Sequence, residues 1–222
     1  MKPTKRKLMI RFTIGILIVF CMSISVSARF LVNGSGDGYP NPGGEKSSGN
    51  SIKFYVAQGA SFYLKGYSDI QTLLNLIELE ESNGVNFDEL NNIVDSAVFH
   101  MNNAVYNYDL LIKEAEVTPL DEGFKLKLMT FDYPGFAAEK GLNIVIFQEC
   151  ESYLKQGDVT GMFRHTHSAF IDILGILESV KKTVEKNNLP DLTVLWELNE
   201  NCAELSLFGQ YASRVFYEII GK

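Results

Sequence analysis

The sequence predicts an all-α protein, an antiparallel four-helix bundle made of two helical hairpins, with a helical connecting segment packed outside. Three observations lead there. Apolar residues recur at alternating spacings of three and four through long segments, which lays a continuous stripe along a helix. The links within each pair of such segments are short, which makes antiparallel neighbours. The one stretch of strand-like alternation has nothing to pair with.

The clearest register is Phe87, Leu90, Val94, Ala97, Met101, Ala104, Tyr108, Leu111 and Ala115, with Asn86 or Asp88 placed to cap its start. The last helix follows Pro190-Asp191 and repeats the pattern in Leu195, Leu198, Cys202, Leu205, Gly209, Ala212, Phe216 and Ile219. Between them, Phe163, Thr166, Phe170, Ile173, Leu177, Val180 and Val184 form a third stripe, with Asp158 as its cap. The first helix, about 55–82, is carried by Tyr63, Tyr67, Ile70, Leu74 and Ile77. Asn83-Gly84-Val85-Asn86 and Asn187-Asn188-Leu189-Pro190 are the short links.

The connecting segment, 118–157, opens with Thr118-Pro119-Leu120-Asp121-Glu122, a cap, a first-turn proline and first-turn acids. Phe124, Leu126 and Leu128 alternate with Lys125 and Lys127, but a short helix ending at Asp132-Tyr133-Pro134-Gly135 is preferred to an unpaired strand. A further helix is expected from about 136 to 156, with Leu142, Ile146, Cys150 and Tyr153 or Leu154 inward.

The N-terminus has a different character. Lys2, Lys5, Arg6, Lys7 and Arg11 precede an uncharged apolar run to Val26, closed by the small residues Ser27 and Ala28. This is the pattern of a secretory signal peptide, so residues 1–28 are expected to be removed and the product to be periplasmic or secreted. Retention of the run as a membrane anchor is the alternative. Residues 29–54, with Asn33-Gly34-Ser35-Gly36-Asp37-Gly38 at their centre, read as a flexible Gly/Ser/Pro-rich linker; residues 55–222 read as the bundle domain.

The whole chain of 222 residues has a formal net charge of −7, and loss of the signal would make it more acidic still. Such a balance disfavours nucleic acid and anionic membrane surfaces, both of which require clustered Lys and Arg. After cleavage two cysteines remain, Cys150 and Cys202. An oxidising compartment permits one disulfide between them, while their apolar registers suit two inert buried thiols.

No catalytic or metal motif emerges. His165 and His167 stand two apart and diverge on a helix, and His100 falls beside its stripe. Haem held between His100 or Met101 and His167 remains a noncovalent alternative, although no Glu-x-x-His or Cys-x-x-Cys-His is present. The acids Glu80-Glu81, Asp121-Glu122, Glu149 and Glu151 read as solvated faces and helix ends.

Two features stand out. Gly209 sits at an inward helical position where glycine costs ~1 kcal/mol relative to alanine, so it marks either a packing gap filled by Tyr63, Tyr67 or Tyr108 or a site for a small hydrophobic ligand. A second apolar line on the last helix, Trp196, Ala203, Leu207 and Tyr211, needs a cover, which is either the connecting helices or a partner protein. The expected function is therefore that of an exported, non-enzymatic helical protein acting through protein contacts, with no cofactor. A binder of a small hydrophobic ligand or haem in the bundle interior is the alternative.

Overall fold

The computed structural model describes residues 48–80 and 86–220. The expected signal peptide, most of the expected linker, and residues 81–85 and 221–222 lie outside the described residues. The described chain is all-helical: α1 (Ser48–Glu80), α2 (Phe87–Val117), α3 (Glu122–Met129), α4 (Tyr133–Lys140), α5 (Ile144–Leu154), α6 (Val159–Val184) and α7 (Leu192–Ile220).

The stripes read from the sequence are the buried faces. Leu90, Val94, Ala97, Met101, Ala104 and Leu111 of α2 are fully enclosed, as are Leu195, Leu198 and Cys202 of α7. Helix α1 packs on α2 and α7, and α6 packs on the same two helices. Helices α2 and α6 run in opposite chain directions. Along α2 and α6, Asp95 meets Lys181 at 2.6 Å while Glu116 meets Arg164 at 2.7 Å. Burial of these faces, at ~25 cal/mol per Å² of apolar surface, is the main term opposing chain entropy.

Buried residues fall into two clusters. One is wholly aliphatic, with Leu73, Leu74, Ile77, Leu90, Val94, Val180, Val184 and Leu195 drawn from all four long helices. The other fills the remainder of the interior and holds the aromatic residues, including Tyr63, Tyr133, Phe147 and Phe170.

Several boundaries differ from the sequence reading, each for a local reason. Helix α1 begins at Ser48, inside the expected linker, because Ile52 and Val56 extend the buried stripe toward the N-terminus. Thr118 closes α2 instead of opening the next helix; the cap of α3 is Asp121, whose carboxylate accepts from the Phe124 amide at 2.8 Å. The single helix expected over 136–156 is two helices. Gly141 takes the left-handed conformation (φ 59°) that ends α4, and Asn143 accepts from Val145 and Ile146 to start α5.

The segment around Asp132-Tyr133-Pro134-Gly135 has a physical explanation. Asp132 caps α4 by accepting from the Gly135 amide at 3.1 Å, and Asp158 caps α6 through Gly161 at 2.7 Å. In both, the carboxylate lies where a Cβ on the glycine would be, so the spacing Asp-x-x-Gly is one device used twice.

Candidate functional site

The residues singled out around Gly209 do converge. Gly209, Tyr63 and Tyr108 line one void with Phe170, Phe208 and Ser213, at a volume of about 60 Å³. Tyr67 does not line it; its ring stacks on Tyr63 with centroids 6.3 Å apart. The void is far below the ~300 Å³ at which sites for drug-sized ligands begin, and haem is larger still. The Tyr63 hydroxyl is engaged within the protein: it donates to the Cys202 carbonyl and lies 3.1 Å from Ser206 Oγ. Burial drives the pKa of Tyr63 and Tyr108 well above the ordinary phenol value. Burial, then the neighbouring Cys202, raises Tyr67 to about 12. These phenols stay protonated at neutral pH and serve as hydrogen-bonding and packing groups.

Tyrosine packs over bare backbone at Gly59. A Cβ at Gly59 would lie 2.6 Å from Tyr108 Cδ2, and one at Gly66 would lie 3.3 Å from Met101 Cε. These glycines let α1 and α2 approach closely with a ring and a thioether between them.

The second apolar line of α7 is largely covered by the chain itself. Tyr211 is buried beneath α5: its ring meets Phe147 edge-on at 5.9 Å and its oxygen accepts from the Asn143 amide at 3.0 Å. Leu207 and Ala203 pack partly buried against the aromatic cluster, and Trp196 against the aliphatic one. Tyr211 is thus an anchor for the connecting helices and no free surface. Cys150 and Cys202 are both buried and unbridged, and burial pushes each thiol up, Cys202 to about 12.

The histidines turn to separate carboxylates. His100 Nδ1 lies 2.8 Å from Asp69 Oδ2, His165 Nε2 lies 3.3 Å from Glu149, and His167 Nε2 lies 3.9 Å from Asp109. Among the described residues no three His, Cys, Asp or Glu side chains are grouped to hold a metal ion. Ser96, His100 and Asp69 share a locus without forming a catalytic relay. Ser96 donates to the same Asp69 oxygen that His100 Nδ1 contacts, so the ring does not stand between hydroxyl and acid as activation of a nucleophile requires.

Compared with known proteins, the chain matches no protein-family model, no curated protein and no solved structure. Function must therefore be read from the surface and the cavities.

The surface feature that the apolar stripes did not reveal lies on the opposite side of α2. Phe99 and Tyr106, seven residues apart and so on one face, are 59% and 61% exposed. Phe62 of α1 adds an edge-to-face contact to Phe99 at 6.5 Å, with Lys65 Nζ 5.7 Å above the Phe62 ring. Asn102 and Asn103 lie between the two exposed aromatics, and their amides bond back to the Val98 and Phe99 carbonyls. The same helix carries Asp88, Glu89, Asp95, Asp109, Glu114 and Glu116 against Lys113 as its one Lys or Arg. The signal was present in the sequence as a seven-residue aromatic spacing on the polar side of the cleanest stripe.

Proposed function

We propose that this chain is an exported, non-enzymatic protein that acts by binding a basic protein partner through the outer face of α2. In this reading α1, α2, α6 and α7 form an antiparallel four-helix bundle, with α3, α4 and α5 laid on its outside as a brace. Residues 1–28 direct export and are removed, and residues from 29 onward space the folded part from the cleavage site. The observation that carries the reading is the exposed pair Phe99 and Tyr106 on an acid-rich helix. Large aromatic side chains in water are the residue types that dominate binding energy at protein interfaces. Asp88, Glu89 and Glu114, which take part in no ion pair among the described residues, favour Lys and Arg on the partner, repel acidic proteins, and speed encounter at low salt.

A photo-crosslinking residue at Asn102 in the producing cell tests this. The expected product is a discrete adduct whose partner peptide is rich in Lys or Arg, abolished by Phe99→Asp with Tyr106→Asp while helicity and melting temperature are retained. Persistence of the same adduct in that folded double variant overturns the assignment, as does the absence of any adduct.

A further inference from the structure

A cleft of about 260 Å³ opens where α2 ends and α3 and α6 begin. Its inner wall is apolar, with Ile52, Val159 and Phe163 all buried. Its outer wall carries Glu122 and Lys125 of α3, and Thr118 and Thr160 add hydroxyls. Side chains at i and i+3 on a helix are near enough to pair. Yet among the described residues neither Glu122 nor Lys125 takes part in an ion pair.

A glycine in the α5–α6 link lies beside the lysine. Gly157 has φ +66° and no side chain, and a Cβ there would lie 2.7 Å from Lys125 Cγ. The lysine stem rests on that bare backbone. The cleft is left with one cationic and one anionic group, a helical turn apart, beside an apolar wall.

We propose that this cleft binds a free α-amino acid with an apolar side chain. The ligand carboxylate pairs with Lys125, its ammonium with Glu122, and its side chain lies against Phe163 and Ile52. An anion alone would face the unpaired Glu122 and a cation alone the unpaired Lys125, whereas a zwitterion satisfies both. A peptide end offers only one of the two charges at this spacing. The volume suits a ligand smaller than the drug-sized class, whose sites begin at ~300 Å³.

The experiment is titration of the purified full chain with L-leucine, read by calorimetry and by backbone amide shifts. Expected is saturable binding with Kd below ~1 mM and shifts at Glu122 and Thr160. L-leucinamide, which lacks the carboxylate, and 4-methylpentanoate, which lacks the ammonium, bind at least ~10-fold more weakly. Lys125→Gln and Glu122→Gln each lower affinity by ~10-fold or more with unchanged melting temperature, since Glu122 is exposed and Lys125 is partly exposed. No saturable change up to ~10 mM leucine overturns the proposal. Binding of either single-charge analogue as tightly as leucine, or unchanged affinity in both variants, overturns it as well.

Discussion

The two buried clusters solve the same packing problem with different chemistry. The smaller one, where the C-terminal parts of α1 and α6 meet the N-terminal parts of α2 and α7, is Leu, Ile and Val throughout. The larger one mixes rings with glycine backbone, sulfur and hydroxyls: Phe170 sits 5.0 Å from Tyr63 and 4.9 Å from Tyr108 by ring centroid, and Tyr108 lies on Gly59. Aliphatic side chains need only a facing stripe, so any residue of similar volume serves. Rings need a bare surface to lie on and a partner for each hydroxyl, so individual positions there are less replaceable.

The largest test of that contrast is Phe170→Ala against Leu195→Ala. Loss of the ring should cost ~3–5 kcal/mol and expand the neighbouring void, while the leucine truncation should cost ~2–5 kcal/mol. Denaturant unfolding of both measures it; the contrast sharpens if Phe170→Leu also costs more than ~1.5 kcal/mol while Leu195→Met does not. Next comes Gly59→Ala, expected to destabilise by ~1–3 kcal/mol because the new methyl meets a ring that cannot retreat. Its counterpart is Gly175→Ala in α6, where a Cβ would meet nothing within 4 Å; it should stabilise by ~0.5–1 kcal/mol, and thermal melts of the pair should move in opposite directions. Tyr63→Phe removes the hydroxyl shared by Cys202 and Ser206 and should cost ~1–2 kcal/mol with little change in the alkyl packing.

The smallest effect is a pH dependence confined to the aromatic cluster. In the unfolded chain Tyr67 loses its proton near ~10, whereas in the folded protein burial holds it to about 12. The folded state thus keeps a proton that the unfolded state has released. The stability from this group is complete below pH ~10 and is lost as pH rises through the interval to about 12. Denaturation at pH 8 and at pH ~11 should show a smaller alkaline loss in Tyr67→Phe than in the parent. Equal losses would remove Tyr67 from the account.

The sequence made the aliphatic cluster legible because periodicity reports which face is buried, and that cluster requires nothing further. It made the class of the fold legible for the same reason. The connecting segment was harder. Gly141 and Asn143 divide one apolar run into α4 and α5, and a left-handed glycine inside such a run is invisible until the turn is seen. At the candidate sites, the register put Gly209 on the inward face, where it lines the void, but no spacing rule could show that Tyr108 would lie on Gly59 from another helix. The seven-residue spacing of Phe99 and Tyr106 puts them opposite the buried face, but periodicity reports the buried stripe and does not distinguish an exposed ring from a covered one. The pairing of Lys125 with Gly157 joins residues separated by two helices and could only be seen in three dimensions.

The repeated helix starts in the middle of the chain have a consequence for how its length can change. Asp121, Asn143 and the two Asp-x-x-Gly caps set the direction of the backbone afresh at each corner. An inserted residue inside α2 would rotate everything beyond it by ~100°, swinging Met101 through Leu111 off the core. The same insertion in the exposed stretch of α4 would be absorbed before Asn143, where the next helix begins on its own terms. Tolerance of added length should therefore be concentrated between Thr118 and Asp158, and nearly absent from the long helices on either side.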